Sequence, residues 1–454
     1  MFCQKESALK KVSKEEQTKA KIYCEEYKNF LNKAKTEREA VEYFVALAER
    51  NGFVPFEKGI NYPAGAKVYQ INRGKAIAFA IIGSAPLEEG VSIIAAHIDS
   101  PRLDLKQNPL YEEDHLGLFK THYYGGIKKY QWTAIPLALH GVVSTKNGTI
   151  KVTIGEDDGD PVFVITDLLP HLAKEQMAKK GNEIVAGEAL NVLIGSQFKP
   201  TEDEKEKQLV KKNILQILKQ KYDIEEEDLI CSELCVVPAM KANDVGLDYS
   251  FVGGYGQDDR VCAYTAATAL CSIQNPQKTA VIFLADKEEV GSMGNTGMKS
   301  AFFKGFISKL DKNADLHTIL SNSACLSADV GAALDPTYKD VMERRNAPQL
   351  NHGLMISKYT GSGGKSGSSD ASAEFVGKIR QIFNDNEVAW QIGELGKVDS
   401  GGGGTVAQFI ANLNVDVVDC GVPLLSMHSP YELSAKLDIY MAYKGYLAFL
   451  LANN

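Results

Sequence analysis

The chain has 454 residues, enough for two or three domains. Its apolar content of 44% and charged content of 24% exclude a mainly disordered chain. A net charge of −8 argues against general nucleic-acid binding, which draws its affinity from Lys and Arg on phosphates.

The N-terminal stretch MFCQKESALKKVSKEEQTKAK is polar and has no apolar core, so no secretory signal is read there and the expected location is cytoplasmic. No run approaches the roughly 20 apolar residues of a membrane-spanning helix, so no membrane partner is expected. Thr36 and Glu39 form a capping box ahead of an apolar run of helical period, Val41 to Ala48, closed by Gly52. Strands follow at Val68–Ile71, 76–82 and 91–98, and the continuous apolar run Ile93 to Ala96 suits a strand covered on both faces.

From about residue 105 to 245 the texture becomes β-rich, with short runs at 142–144, 150–153 and 162–165, ending in a charged stretch over 201–229 with helical apolar spacing. The pair Cys231 and Cys235 has no second pair or nearby His to complete a zinc site, and eight cysteines are too sparse for a disulfide framework; buried thiols are expected. Beyond 246, a helix is read at 260–273, strands at 279–285, 317–320 and 415–422, and a long amphipathic helix at 431–452. Strands alternating with helices predict an α/β fold with a mostly parallel sheet flanked by helices. The domain reading is a discontinuous catalytic domain, 1–102 and 247–454, with a β-rich domain inserted over 103–246.

The Gly-rich tract TGSGGKSGSS invites a phosphate-binding-loop reading, but the position five before Gly364 is Tyr359 rather than Gly, and the pattern fails. SGGGGT at 400–405 reads as a loop whose backbone approaches something closely. Ionisable residues gather instead just beyond strand ends, where loops of α/β proteins converge on one crevice. They are His97 and Asp99, Asp258 and Asp259, Glu288 and Glu289, Asp329, and His428. Two His and three carboxylates could hold two divalent ions about 3.5–4 Å apart, provided that one carboxylate bridges.

AAHIDSPRLDLK, GGYGQDDRVCAY, DKEEVGSMG, SADVG and SMHSPYE resemble, in order and spacing, the aspartyl aminopeptidase and aminopeptidase I family of two-zinc metallopeptidases. The resemblance implies a metalloaminopeptidase that removes the N-terminal residue of peptides with a free amine. It places His97 and Asp329 on one metal, Glu289 and His428 on the other, and Asp258 between them. Asp99 would orient His97, and Glu288 would be the general base for water attacking the first peptide bond. The metals would be zinc, with cobalt or manganese compatible with the same donors.

The resemblance also implies a homo-oligomer, with dimers assembled into a dodecamer through an inserted dimerisation or lid domain. His171, in TDLLPHLAKE, would reach a neighbouring subunit's active site, and Lys358, in SKYTG, would receive an acidic substrate side chain. DKEE and VDSGGGGTVA depart from the aspartyl-type pattern, so acidic and neutral or apolar first residues both stay open. Two other readings stay open as well. One is a carboxypeptidase or deacylase with Arg102 or Arg260 at a free carboxylate. The other is a non-catalytic scaffold, which the intact ligands and Glu pair oppose.

Overall fold

The computed structural model describes residues 6–198 and 207–452, which divide into two compact units. The first comprises the chain up to Ser100, Ala242–Met427 and the residues from Tyr431 on; the second is Pro101–Lys241 with His428–Pro430.

The first unit is an α/β structure built on a nine-stranded sheet. Its strand order is Val54–Pro55, Lys67–Asn72, Ala76–Ile81, Ala280–Ala285, Ser92–His97, Ala324–Ser327, Asp416–Gly421, Leu354–Ser357 and Trp390–Ile392. The four strands from Ala280–Ala285 to Asp416–Gly421 run parallel. The sheet as a whole is mixed, because Ala76–Ile81 pairs antiparallel with both Lys67–Asn72 and Ala280–Ala285, and Leu354–Ser357 pairs antiparallel with Asp416–Gly421. The strands of the parallel core are apolar without alternation because both faces are covered. Ile94, Ala96, Ile282, Leu284, Leu326 and Val418 point into one hydrophobic cluster, and Ile93, Ala95, Val281, Phe283, Cys325 and Val417 into the other. Helices Lys14–Lys33, Glu37–Arg50, Gln257–Cys271, Ala373–Asp385 and Lys436–Leu451 fill the first cluster, and Phe302–Leu310, Leu316–Ser321 and Ala407–Ala411 the second. A five-stranded sheet that includes Phe251–Gly254 and Glu432–Ala435 completes this unit.

Several expected elements come out differently. The segment 317–320 is not a strand but part of helix Leu316–Ser321, started by Asp315, whose side chain accepts the Thr318 N–H; the strand follows at Ala324–Ser327. Thr318, Ile319 and Leu320 looked like part of a strand, and the cap decides otherwise. The segment 431–452 is strand Glu432–Ala435 followed by helix Lys436–Leu451, buried on most sides rather than amphipathic. No strand forms over 162–165, where only single bridges, Leu137 with Phe163 and Val164 with Leu193, are made.

The second unit carries an antiparallel six-stranded sheet, in the order Gly148–Ile154, Leu137–Thr145, Ser232–Pro238, Arg102–Glu113, Leu116–Tyr124 and Val192–Gly195. The charged stretch supplies helix Leu209–Tyr222, which buries Val210, Ile214 and Leu218; the part of it at 201–206 lies outside the described residues. A Cβ on Gly117 would stand 2.3 Å from Ile214 Cδ1, so the helix packs closely on the sheet at this glycine. Among the described residues no helix is long and apolar enough to cross a membrane.

Candidate metal centre

Strand register sets the stage. His97 pairs with Ala285 and Ala95 with Ser327, so Asp329, two residues past Ser327, is carried level with His97, and Glu288 and Glu289 leave from the neighbouring strand. Asp258 and Asp259 come from the opening turn of helix Gln257–Cys271. That turn starts at Gly256 with φ 69°, where a Cβ would collide with the Arg260 guanidinium at 1.5 Å. Arg260 is buried and donates to the carbonyls of Gly256, Ala34 and Tyr255, which ties the turn to its surroundings. Glu432 accepts the Asp258 N–H at 3.1 Å, and Ser100 donates to the Asp258 carbonyl at 2.7 Å.

Two groups of ligand atoms form around one imidazole. His97, Asp258 and Glu289 offer atoms within 4.8 Å of one another, and so do His97, Asp259 and Asp329. His97 Nε2 lies 3.2 Å from Asp258 Oδ1 and 3.9 Å from Glu288 Oε2. Its Nδ1 lies 3.0 Å from the Asp99 carbonyl oxygen and 3.3 Å from Asp99 Oδ1, both placed to accept the ring N–H. Asp99 does more: its Oδ1 accepts the Glu288 N–H at 3.1 Å and its Oδ2 the Glu289 N–H at 3.2 Å. One buried carboxylate therefore orients the imidazole and the backbone that presents both glutamates.

Burial and mutual repulsion oppose ionisation of the carboxyls of Asp329 and Asp259. Burial pushes the Asp329 carboxyl well above the usual range, and the neighbouring charges of Asp259, Glu288 and Asp258 add to the shift, with His97 opposing. Burial also raises Asp259, which accepts the His97 N–H at 3.4 Å through Oδ2, while its buried Oδ1 accepts no hydrogen bond. Burial works to lower the His97 pKa, but the carboxylates of Asp258 and Asp99 hold it well above its ordinary value. Carboxylate oxygens and one imidazole crowded out of water are a donor set suited to zinc and similar divalent ions.

Of the residues singled out by sequence, His97, Asp99, Asp258, Glu288, Glu289 and Asp329 come together. His428 does not appear in either ligand group; it belongs to the second unit, with φ 63° and Nδ1 2.8 Å from the Gly126 carbonyl oxygen. His171 stands exposed in the turn Pro170–Leu172. Lys358 pairs with Asp370, which also binds Lys365 at 2.8 Å. The strand leading to Lys358 runs antiparallel to Asp416–Gly421, with Ser357 opposite Asp419, and so carries Lys358 away from the strand ends that bear the ligands. Sequence reasoning left Asp259 without a role, although its adjacency to Asp258 was the available signal. Glu432 was missed, since nothing local marks it.

The fold and this cluster define the class as an α/β metallohydrolase. A family model described as aminopeptidase I zinc metalloprotease (M18) matches residues 30–450. The chain is 52% identical over 435 residues to a probable M18 family aminopeptidase 1 of Clostridium acetobutylicum, covering 93% of each. Its fold is similar to that of an M18-family aminopeptidase from Thermotoga maritima, with TM-score 0.94, 45% identity and 99% of each chain covered. It also resembles, in fold, a Saccharomyces cerevisiae structure described as the mApe1 dodecamer, at TM-score 0.76 and 22% identity, covering 94% of this chain and 96% of that one. The chain belongs to the M18 family of aminopeptidase I zinc metalloproteases and is a metalloaminopeptidase.

Proposed function

We propose that His97, Asp258, Glu289, Asp329 and His428 would hold two zinc ions, and that Glu288 is the general base in removing the first residue of a peptide with a free N-terminus. The observation that carries this reading is the pair of ligand groups meeting at His97 and the adjacent Asp258 and Asp259. When bound, two such ions lower the pKa of water and stabilise negative charge on a carbonyl oxygen. The chain's own residues supply the rest. Glu288 Oε2 takes the proton of the attacking water and returns it to the leaving amine. Its side chain is 19% exposed, within reach of substrate, while Asp99 fixes its backbone. For His428, support comes from the tautomer. An Nδ1–H donated to the Gly126 carbonyl leaves the Nε2 lone pair for a metal.

Lys358 is spent on Asp370, so a pocket for an acidic first residue built on it would have to break that pair. This supports neutral or apolar first residues over Asp or Glu. The arginines that a carboxypeptidase or deacylase would need are also engaged, Arg260 on backbone carbonyls and Arg102 on Asp104 at 2.7 Å. The segment 103–246 is read as a dimerisation and lid domain, with His171 serving a second copy; the exposed Leu168, Leu169, Leu172 and Met177 around it support a covered surface. The yeast dodecamer supports a homo-oligomer of that size. The seven cysteines among the described residues are thiols rather than disulfides, which supports a reducing, cytoplasmic location.

The test is Glu288→Gln on a free-amine aminoacyl substrate. Turnover should fall about 10²- to 10⁴-fold with zinc content unchanged, and the N-acetylated peptide should stay intact with the wild-type enzyme. Near-normal turnover removes Glu288 from the role, and cleavage of the acetylated peptide favours the deacylase reading.

A further inference from the structure

The segment that presents Glu288 and Glu289, residues 286–297, is closed by side chains rather than by a ladder. Asp286 follows strand Ala280–Ala285 and is almost fully buried. Its Oδ2 accepts from Thr296 Oγ1 at 2.6 Å and from Lys287 Nζ at 2.7 Å, and Lys287 Nζ donates to Thr296 Oγ1 at 3.0 Å. The backbone closes the same gap, with the Asp286 N–H on the Thr296 carbonyl at 3.2 Å and the Ser292 N–H on the Lys287 carbonyl at 2.6 Å. Lys287 itself holds φ 65°, a left-handed conformation that a side chain rarely adopts unless its surroundings impose it. Asp286 also feels the negative charges of Glu37 and Asp99, so the ammonium offsets a local excess of carboxylates.

We propose that Lys287, through Asp286 and Thr296, is a positioning residue that fixes the aim of the Glu288 carboxylate. Resting on the assignment of Glu288 as base, the inference gives a purpose to the Lys that stands just before the Glu pair. The ammonium is engaged within its own loop, 30% exposed, and its charge acts on geometry. A base held on a single three-residue 3-10 turn, Glu288–Val290, which has no side-chain cap, gains little stiffness from its own element, and the three-membered clamp adds to it.

The experiment compares Lys287→Met, Thr296→Val and Lys287→Arg with wild type and Glu288→Gln. Lys287→Met and Thr296→Val should each lower kcat about 10- to 100-fold with KM within about 2-fold, and Lys287→Arg should recover most of that loss. Zinc affinity, measured by chelator competition, should change less than about 5-fold. In the metal-free protein, amide exchange of Asp286 and Ser292 should quicken about 10-fold or more in Lys287→Met, while amides of strand Ser92–His97 keep their rates. Unchanged kcat in Lys287→Met beside an inactive Glu288→Gln overturns the clamp alone. Full turnover of Glu288→Gln overturns the assignment of the base itself. Unchanged exchange at Asp286 and Ser292 also overturns the clamp, independently of activity.

Discussion

Asp99 shows how much can depend on one carboxylate. It is buried, and its two oxygens serve different amides, those of Glu288 and Glu289, while Oδ1 also lies within reach of the His97 ring. Asp99→Asn preserves the shape but turns an NH₂ group towards an N–H donor, leaving a buried donor without its acceptor. The expected outcome is zinc binding weakened about 10- to 100-fold in chelator competition, with reduced turnover at saturating zinc. Unchanged affinity would mean that the Asp99 carbonyl alone orients His97, since that oxygen is the nearer acceptor. A role for Asp99 towards His97 was implied by the family resemblance, and the structure places the two side by side. Its second role was not legible, because residues 288 and 289 reach it only through the parallel pairing of Ala280–Ala285 with Ser92–His97.

Among the elements, strand Asp416–Gly421 carries an unusual charge. Asp419 is buried between two strands, and burial raises its pKa to about 6 from 3.8, with Thr405 Oγ1 at 2.6 Å and Ser327 opposing the shift. The contact ties the end of the Gly-rich stretch 400–405 to the sheet, and Gly402–Gly403 pairs with Gly361–Ser362. A folded-state pKa above the unfolded one means that the folded chain holds the proton longer. The stabilisation is therefore complete below about pH 4 and is lost as pH rises through about 6. Asp419→Asn should remove that dependence, so the melting temperature of the variant should gain on wild type between pH 4 and 7, by up to about 3 kcal/mol of stability. Parallel melting profiles for the two proteins would exclude this account. The strands were legible where apolar runs were long, as in Ala280–Ala285. Leu316–Ser321 misled because a six-residue helix shows too little period to separate it from a strand.

For the whole molecule, the prediction concerns assembly. Leu172 is 69% exposed beside His171, so Leu172→Glu costs an isolated chain little. If a second copy covers this surface and receives His171, the variant should show a lower mass in light scattering and turnover reduced about 10-fold or more, with zinc content retained. Full assembly together with full turnover would reject the shared-site reading. The α/β character and the candidate residues that gather around His97 were readable from the chain by itself, because apolar runs and the ionisable residues beyond strand ends are local signals, and the family followed from the order of its motifs. The tertiary structure alone decided that Asp259 joins Asp329, that Glu432 holds the Asp258 N–H and that Asp370 occupies Lys358. Those pairings depend on strand register and on loops closing across sequence separations from 12 to 174 residues, and no local pattern encodes them.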